Sequence, residues 1–148
     1  WQVLSGNKGV AQAVGRGELA FGLTDTDDAL GEIDAGRPVT IVYPDQASTI
    51  PGDNALGTLL IPNTLALVRG SGQGDAARQL VDYLLSPEVE AQLAAGASGQ
   101  IPLNREVDAA SRADPPANLH VMAVDFRDAA QRWDAVAEFL RDEFATAE

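Results

Sequence analysis

The chain has 148 residues, a formal net charge of −12, no cysteine, a single histidine and 45% apolar residues, a size that suits one domain or two small lobes with a core. Ten basic against 22 acidic residues argue against duplex nucleic acid, which needs clustered Lys and Arg, and against an anionic membrane surface. The lack of cysteine removes disulfides, thiolate metal sites and cysteine nucleophiles, and His120 alone cannot build a multi-histidine metal site.

The opening residues Trp1-Gln2-Val3-Leu4 show no initiator Met, charged n-region or apolar h-region. No run approaches the roughly 20 apolar residues of a membrane span, so neither a signal peptide nor membrane insertion is expected. A processed chain or an excised piece would both read this way. Ser5-Gly6-Asn7 then offers caps for a helix whose stripe is Val10, Ala11, Ala13 and Val14, ended by Gly15 and Gly17. Residues 19–24 form a short apolar run suited to a buried strand. Thr26 can cap a short helix with Asp27 and Asp28 in its first turn, Leu30 and Ile33 inward and Gly36 at its end. Residues 39–43 are β-branched and read as another strand, closed by Pro44. Helix, strand, helix, strand at this spacing predicts an α/β lobe.

Residues 44–58 hold Pro44, Pro51, Gly52 and Gly57 and read as a loop. Residues 58–68 are apolar and extended but interrupted by Pro62-Asn63-Thr64, which predicts an edge strand or two strands meeting at a crossover. The glycine-rich 70–74 stretch lacks the Gly-Lys-Ser/Thr of a phosphate loop and reads as a flexible turn. Residues 75–85 form an amphipathic helix through Ala76, Leu80, Val81 and Leu84, and Ser86-Pro87-Glu88 starts another that stops at Gly96. After Gln100-Ile101-Pro102-Leu103, the stretch around Pro115-Pro116 reads as a surface connection. Asp125 caps a last helix with Phe126, Ala130, Trp133, Val136, Ala137, Leu140 and Phe144 on one face. Burying Trp133 and Phe144 would contribute roughly 1.5–3 kcal/mol each, so this helix is expected to pack.

The densest polar group is Thr24-Asp25-Thr26-Asp27-Asp28, between a strand exit and a helix start. Ligands of open α/β sheets gather at such strand ends. Carboxylates this close repel one another unless a cation, an arginine or a helix N-terminus offsets them. The same residues are routine helix caps, and the two readings stand at even weight. Ser5-Gly6-Asn7-Lys8 opens a helix and could present free N–H groups to an anion, though ordinary capping is the commoner use. Tyr43-Pro44-Asp45-Gln46 leads a loop that could line a cleft. No serine sits in a G-x-S-x-G elbow, and His120 lies in an apolar Leu-His-Val-Met stretch.

Several segments in order carry a family resemblance. They are residues 4–8, the run Gly17-Glu18-Leu19-Ala20-Phe21-Gly22-Leu23-Thr24-Asp25-Thr26-Asp27-Asp28-Ala29, then Val42-Tyr43-Pro44-Asp45-Gln46. Gly57-Thr58-Leu59-Leu60-Ile61-Pro62-Asn63-Thr64, residues 83–90, Gln100-Ile101-Pro102-Leu103 and Val124-Asp125-Phe126 with Arg132-Trp133 follow. Together they resemble the solute-binding proteins of bacterial ABC importers, in the type 2 periplasmic-binding fold of the ferric-iron-binding group.

The resemblance implies a non-catalytic protein of the periplasm or cell exterior that closes two lobes over a solute and docks on an ABC permease. It matches a C-terminal half: residues 1–57 as part of the second α/β lobe, 58–68 as hinge or crossover strands, and 69–148 as helical segments completing the lobes. The N-terminal half of the protein then becomes a partner, and exposed apolar surface meant for it favours self-association. The implied ligand-facing residues are Ser5, Gly6, Asn7, Asp25, Thr26, Asp27, Asp28, Asp45 and Gln46, with Asn63 and Thr64 at the crossover. No cofactor is implied, and Fe³⁺ enters only as cargo. Where ferric-binding members carry adjacent tyrosines, this chain has Asp27-Asp28, hard oxygen donors that could hold a cation in their place. A small anionic or zwitterionic solute, with its anionic end at residues 5–8 and any cationic end at 25–28, is the rival ligand. An acid-dependent enzyme using the same Asp cluster is the alternative from another class; it lacks a partner acid or nucleophile.

Overall fold

Three of the helices among the described residues begin on side-chain caps. A computed structural model describes residues 2–48, 54–70 and 72–144, and these carry α1 (Gly6–Gly15), α2 (Thr26–Asp34), α3 (Gly74–Leu84), α4 (Pro87–Ala95), α5 (Phe126–Gln131) and α6 (Trp133–Phe144). The Asp25 carboxylate accepts from the Asp28 N–H at the start of α2. Ser86 Oγ accepts from the Val89 N–H at the start of α4, with Pro87 at the first helical position. Asp125 accepts from the N–H groups of Arg127 and Asp128 at 2.9 and 3.1 Å.

The chain divides into two compact units, Leu4–Tyr43 with Ile61–Ala117, and Trp1–Val3 with Pro44–Leu60 and Asn118–Glu148. In the larger unit α1 packs on α2 and α3 on α4. Its buried apolar residues are small or few: Ala11 and Ala13 of α1, Leu30 of α2, Val89 and Ala94 of α4, and Ala113. The segment after α4 is laced down by polar contacts. Glu90 accepts from the Leu103 and Asn104 N–H groups at 2.8 and 3.1 Å, and the Tyr43 hydroxyl donates to the Ala113 carbonyl at 2.7 Å. Arg112 bridges to Asp34 at 2.5 Å and donates to the carbonyls of Gly96 and Ala97. In the smaller unit Thr58 and Val121 form a parallel bridge, and α5 meets α6.

Four expectations are corrected. Residues 19–24, 39–43 and 58–68 form no strand, and among the described residues no sheet forms beyond that one bridge. Residues 20–24, 40–43 and 59–68 exchange no backbone–backbone hydrogen bonds, because no strand lies beside them, and a strand without a neighbour has no ladder. The buried strand expected at 19–24 is open, with Phe21 and Leu23 each 79% exposed. The single last helix is two, α5 and α6, parted at Arg132, whose side chain turns back to Asp128 Oδ2 at 2.7 Å. Its apolar face does not pack: Trp133 is 71% exposed, and no other helix covers it among the described residues. Residues 49–53 of the predicted loop and Ser71 of the predicted turn lie outside the described residues, as does Trp1.

Surface area puts a magnitude on this openness. A folded monomer of 15.5 kDa exposes about 7,200 Å², and two independent globules of the two units' sizes about 8,600 Å² together. The chain exposes 11723 Å². The excess is about 3,000 Å² by the more generous reference, against about 800 Å² per partner in an interface of standard size.

Gly99 tests the packing that does exist. It is buried with φ +53°, and a Cβ there would press on the Leu30 side chain and lie 3.1 and 3.2 Å from Arg112 Cβ and Ala113 N. Gly36 has φ +72° with nothing within 4 Å of its Cβ position. Gly36→Ala should cost about 1–2 kcal/mol, the left-handed penalty alone. Gly99→Ala should cost clearly more, read as the larger loss of thermal midpoint in parallel melts.

Candidate functional site

The first turns of α1 and α2 meet through side chains. Ser5 occupies the N-cap of α1 yet makes no side-chain cap bond, and no acidic residue stands in that first turn. The leading N–H groups of α1 therefore carry their partial positive charge without a capping side chain. Gly6 has φ +77°, with nothing within 4 Å of its Cβ position. Asn7 reaches outward instead of capping: its Nδ2 donates to Asp25 Oδ2 at 2.5 Å, and its carbonyl accepts from the Thr24 hydroxyl at 3.0 Å. Residues 17 and 18 positions apart are thus fastened at one place. Asp25 uses its other oxygen to cap α2, where Asp27 and Asp28 follow in the first turn and Thr26 is half-buried.

The carboxyl groups are not equivalent. Burial pushes Asp25 up, but hydrogen bonds from Asn7, Asp27 and Asp28 outweigh it and hold this carboxyl below the usual range. Asp28 moves the other way: burial, the negative charge and hydrogen bonding of Asp25, and the charge of Asp27 all raise it, and Lys8 offsets this only in part. On acidification Asp28 takes a proton before Asp25. Among the described residues no group of three or more His, Cys, Asp or Glu side chains is placed to hold a metal ion.

The other residues named from the sequence are placed elsewhere. Asn63 lies in the larger unit and donates to Gln100 Oε1 at 2.7 Å, and Thr64 is exposed beside it. Asp45 and Gln46 belong to the smaller unit. Asp45 takes a left-handed φ of +57° and its carbonyl accepts from the Gly57 N–H. The Gln46 amide is committed to Thr58, Pro44 and His120.

Sequence reasoning missed an apolar cleft of about 560 Å³ in the larger unit. Val10 and Val14 of α1 line it with Leu19, Phe21, Val39 and Val42, and it extends to Thr24 beside the Asn7–Asp25 contact. The signal was present in residues 19–24 and 39–43, whose strand character was legible but whose missing neighbours were not. Gly22 belongs to this wall, since a Cβ there would press into Val10 and lie 3.3 Å from Val14 Cγ2.

Residues 2–122 match the model of a family described as bacterial extracellular solute-binding protein. No curated protein and no solved structure is matched by the chain. Among the described residues no helix is long and apolar enough to cross a membrane.

A carboxyl held below its ordinary pKa stabilises the fold above its unfolded value, and this contribution is lost as pH falls through the folded value. Asn7→Ala removes the strongest of the bonds that lower Asp25. The Asp25 midpoint in a carboxyl NMR titration should therefore rise, and acid unfolding should begin at higher pH. Asp28 has the opposite sign, so its ionised form costs stability at neutral pH. Asp28→Asn should leave the neutral-pH melting midpoint unchanged or raise it.

Proposed function

The chain belongs to the bacterial extracellular solute-binding proteins of ABC transporters, and from that premise we propose that it captures a small zwitterionic solute at the joined starts of α1 and α2. Proteins of this family bind small solutes, work with ABC permeases in the periplasm or outside the cell, and are generally not enzymes. The observation that supports the zwitterion is the pairing of unlike helix starts. The first turn of α1 has no side-chain cap and no acid, while that of α2 carries Asp25, Asp27 and Asp28, and Asn7 ties the two together. An anionic end of the solute accepts from the free N–H groups of residues 6–8. A cationic end faces Asp27 and Asp28, which also relieves their mutual repulsion. Ser5 and Thr26 flank the two ends. Ferric iron, the cargo of the group the sequence resembles, would find two hard ligands in Asp27 and Asp28 and require others.

In the same proposal the chain is the C-terminal part of a type 2 periplasmic-binding protein. Residues 1–57 contribute to the second lobe, 58–68 to the crossover and 69–148 to helices that complete the lobes. Support comes from the open faces: Phe21, Leu23, Val42 and Ile61 are each more than 70% exposed, and the runs that carry them have unused main-chain donors and acceptors. The N-terminal half of the protein supplies their cover, and the permease is the partner of the closed form.

Calorimetry tests the ligand with size-matched probes: an amino acid, its carboxylate analogue lacking the amine, its amine analogue lacking the carboxylate, and Fe³⁺ as citrate. The amino acid should bind tightest, and the Asp27→Asn/Asp28→Asn double variant should weaken it by about tenfold or more, as loss of a charge-assisted contact does. Equal binding of amino acid and carboxylate, or binding of Fe³⁺ alone, overturns the zwitterion.

Sedimentation tests the open faces. Without its cover the chain should associate with rising concentration to masses above 15.5 kDa and bind an apolar-surface dye. A strict monomer without dye binding rules out the uncovered-face reading.

A further inference from the structure

The chain passes between its two units at four points, after Val3, Tyr43, Leu60 and Ala117. In the smaller unit, the residues beside three of these points are held by one side chain. Gln46 Nε2 donates to Thr58 Oγ1 and to the His120 carbonyl, both at 2.9 Å, and lies 3.2 Å from the Pro44 carbonyl. Its Oε1 accepts from the His120 N–H at 2.8 Å. Two amide hydrogens meet two good acceptors, because the Thr58 hydroxyl itself donates to the Pro44 carbonyl at 2.7 Å. The His120 carbonyl uses its second lone pair for the Thr58 N–H at 2.8 Å, and the Met122 N–H donates to the Thr58 carbonyl at 3.0 Å. Gln46 thus pairs with His120 through both an acceptor and a donor, as a neighbouring strand would.

We infer that Gln46 is a positioning residue, a side-chain clamp that holds the segments 44–46, 57–58 and 118–122 in fixed register, so that three of the chain's passages between units leave from one rigid anchor. The backbone packs closely at the same place. Gly57 is buried with φ +84°, and a Cβ on it would lie 2.7–2.8 Å from backbone atoms of His120, Val121 and Met122. The clamp involves no side chain of the proposed solute site and is independent of which solute is bound.

Residue-resolved amide hydrogen exchange on the full chain separates clamping from general support of the fold. In Gln46→Ala the amides of Thr58, His120 and Met122 should exchange about tenfold faster or more, since three hydrogen bonds of ordinary strength are lost. Those of α6, in the same unit, should be unchanged. Thr58→Val should reproduce the pattern, because it removes both the acceptor for Gln46 and the donor for Pro44, and Thr58→Ser should restore it. Unchanged exchange at His120 and Met122 in Gln46→Ala, equal acceleration in α6, or a Thr58→Ser variant that fails to rescue would each overturn the clamp.

Discussion

A β-strand cannot satisfy its own backbone; it needs a second strand about 4.8 Å away to take its N–H and C=O groups. Nearly everything unusual in this chain follows from that constraint. Its helices close their hydrogen bonds locally and form with the caps the sequence supplies. Its three strand-like runs lie unpaired but for the Thr58–Val121 bridge, and many of the apolar side chains that a sheet would bury face solvent. The cleft between α1 and residues 19–24 and 39–43, the exposed Phe21 and Val42, and the surplus surface are three views of the same missing ladder.

Features that depend on neighbours a few residues away were legible in the sequence. Ser86-Pro87, Asp25 and Asp125 announced their helices because a cap acts on an N–H two or three residues on. Features that depend on distant partners were not. The stretch 39–43 reads as a strand from its β-branched residues alone, but β-propensity measures fit to a pleated sheet surface, and no strand lies beside it among the described residues. The last helix failed for the same reason: Trp133 and Phe144 mark an apolar stripe, yet a stripe records the capacity to pack and not the presence of something to pack on.

The candidate site divides along the same line. That Ser5, Gly6, Asn7 and Asp25 to Asp28 stand at helix starts was visible, since caps are local. That Asn7, inside the first turn of α1, spends its amide on Asp25 was hidden, because both residues read locally as parts of their own helix starts. Gln46 is the reverse case. A polar residue in a loop after a strand invites a ligand role, and its partners Thr58 and His120, 12 and 74 positions away, are beyond the reach of any local pattern.

Charge joins the site to the openness of the fold. With 22 acidic residues against ten basic, close carboxylates need local compensation, and the chain's four ion pairs among the described residues all use arginines away from the Asp cluster. At the start of α2 that compensation comes from the helix dipole, from Asn7 and, weakly, from Lys8. It suffices for Asp25, whose carboxyl is held low, and fails for Asp28, whose carboxyl is held high. In the proposed site a half-compensated acidic cluster stands beside a helix start without a side-chain cap. On that proposal a solute with both signs of charge complements both helix starts at once, whereas a metal ion or a simple anion complements only one.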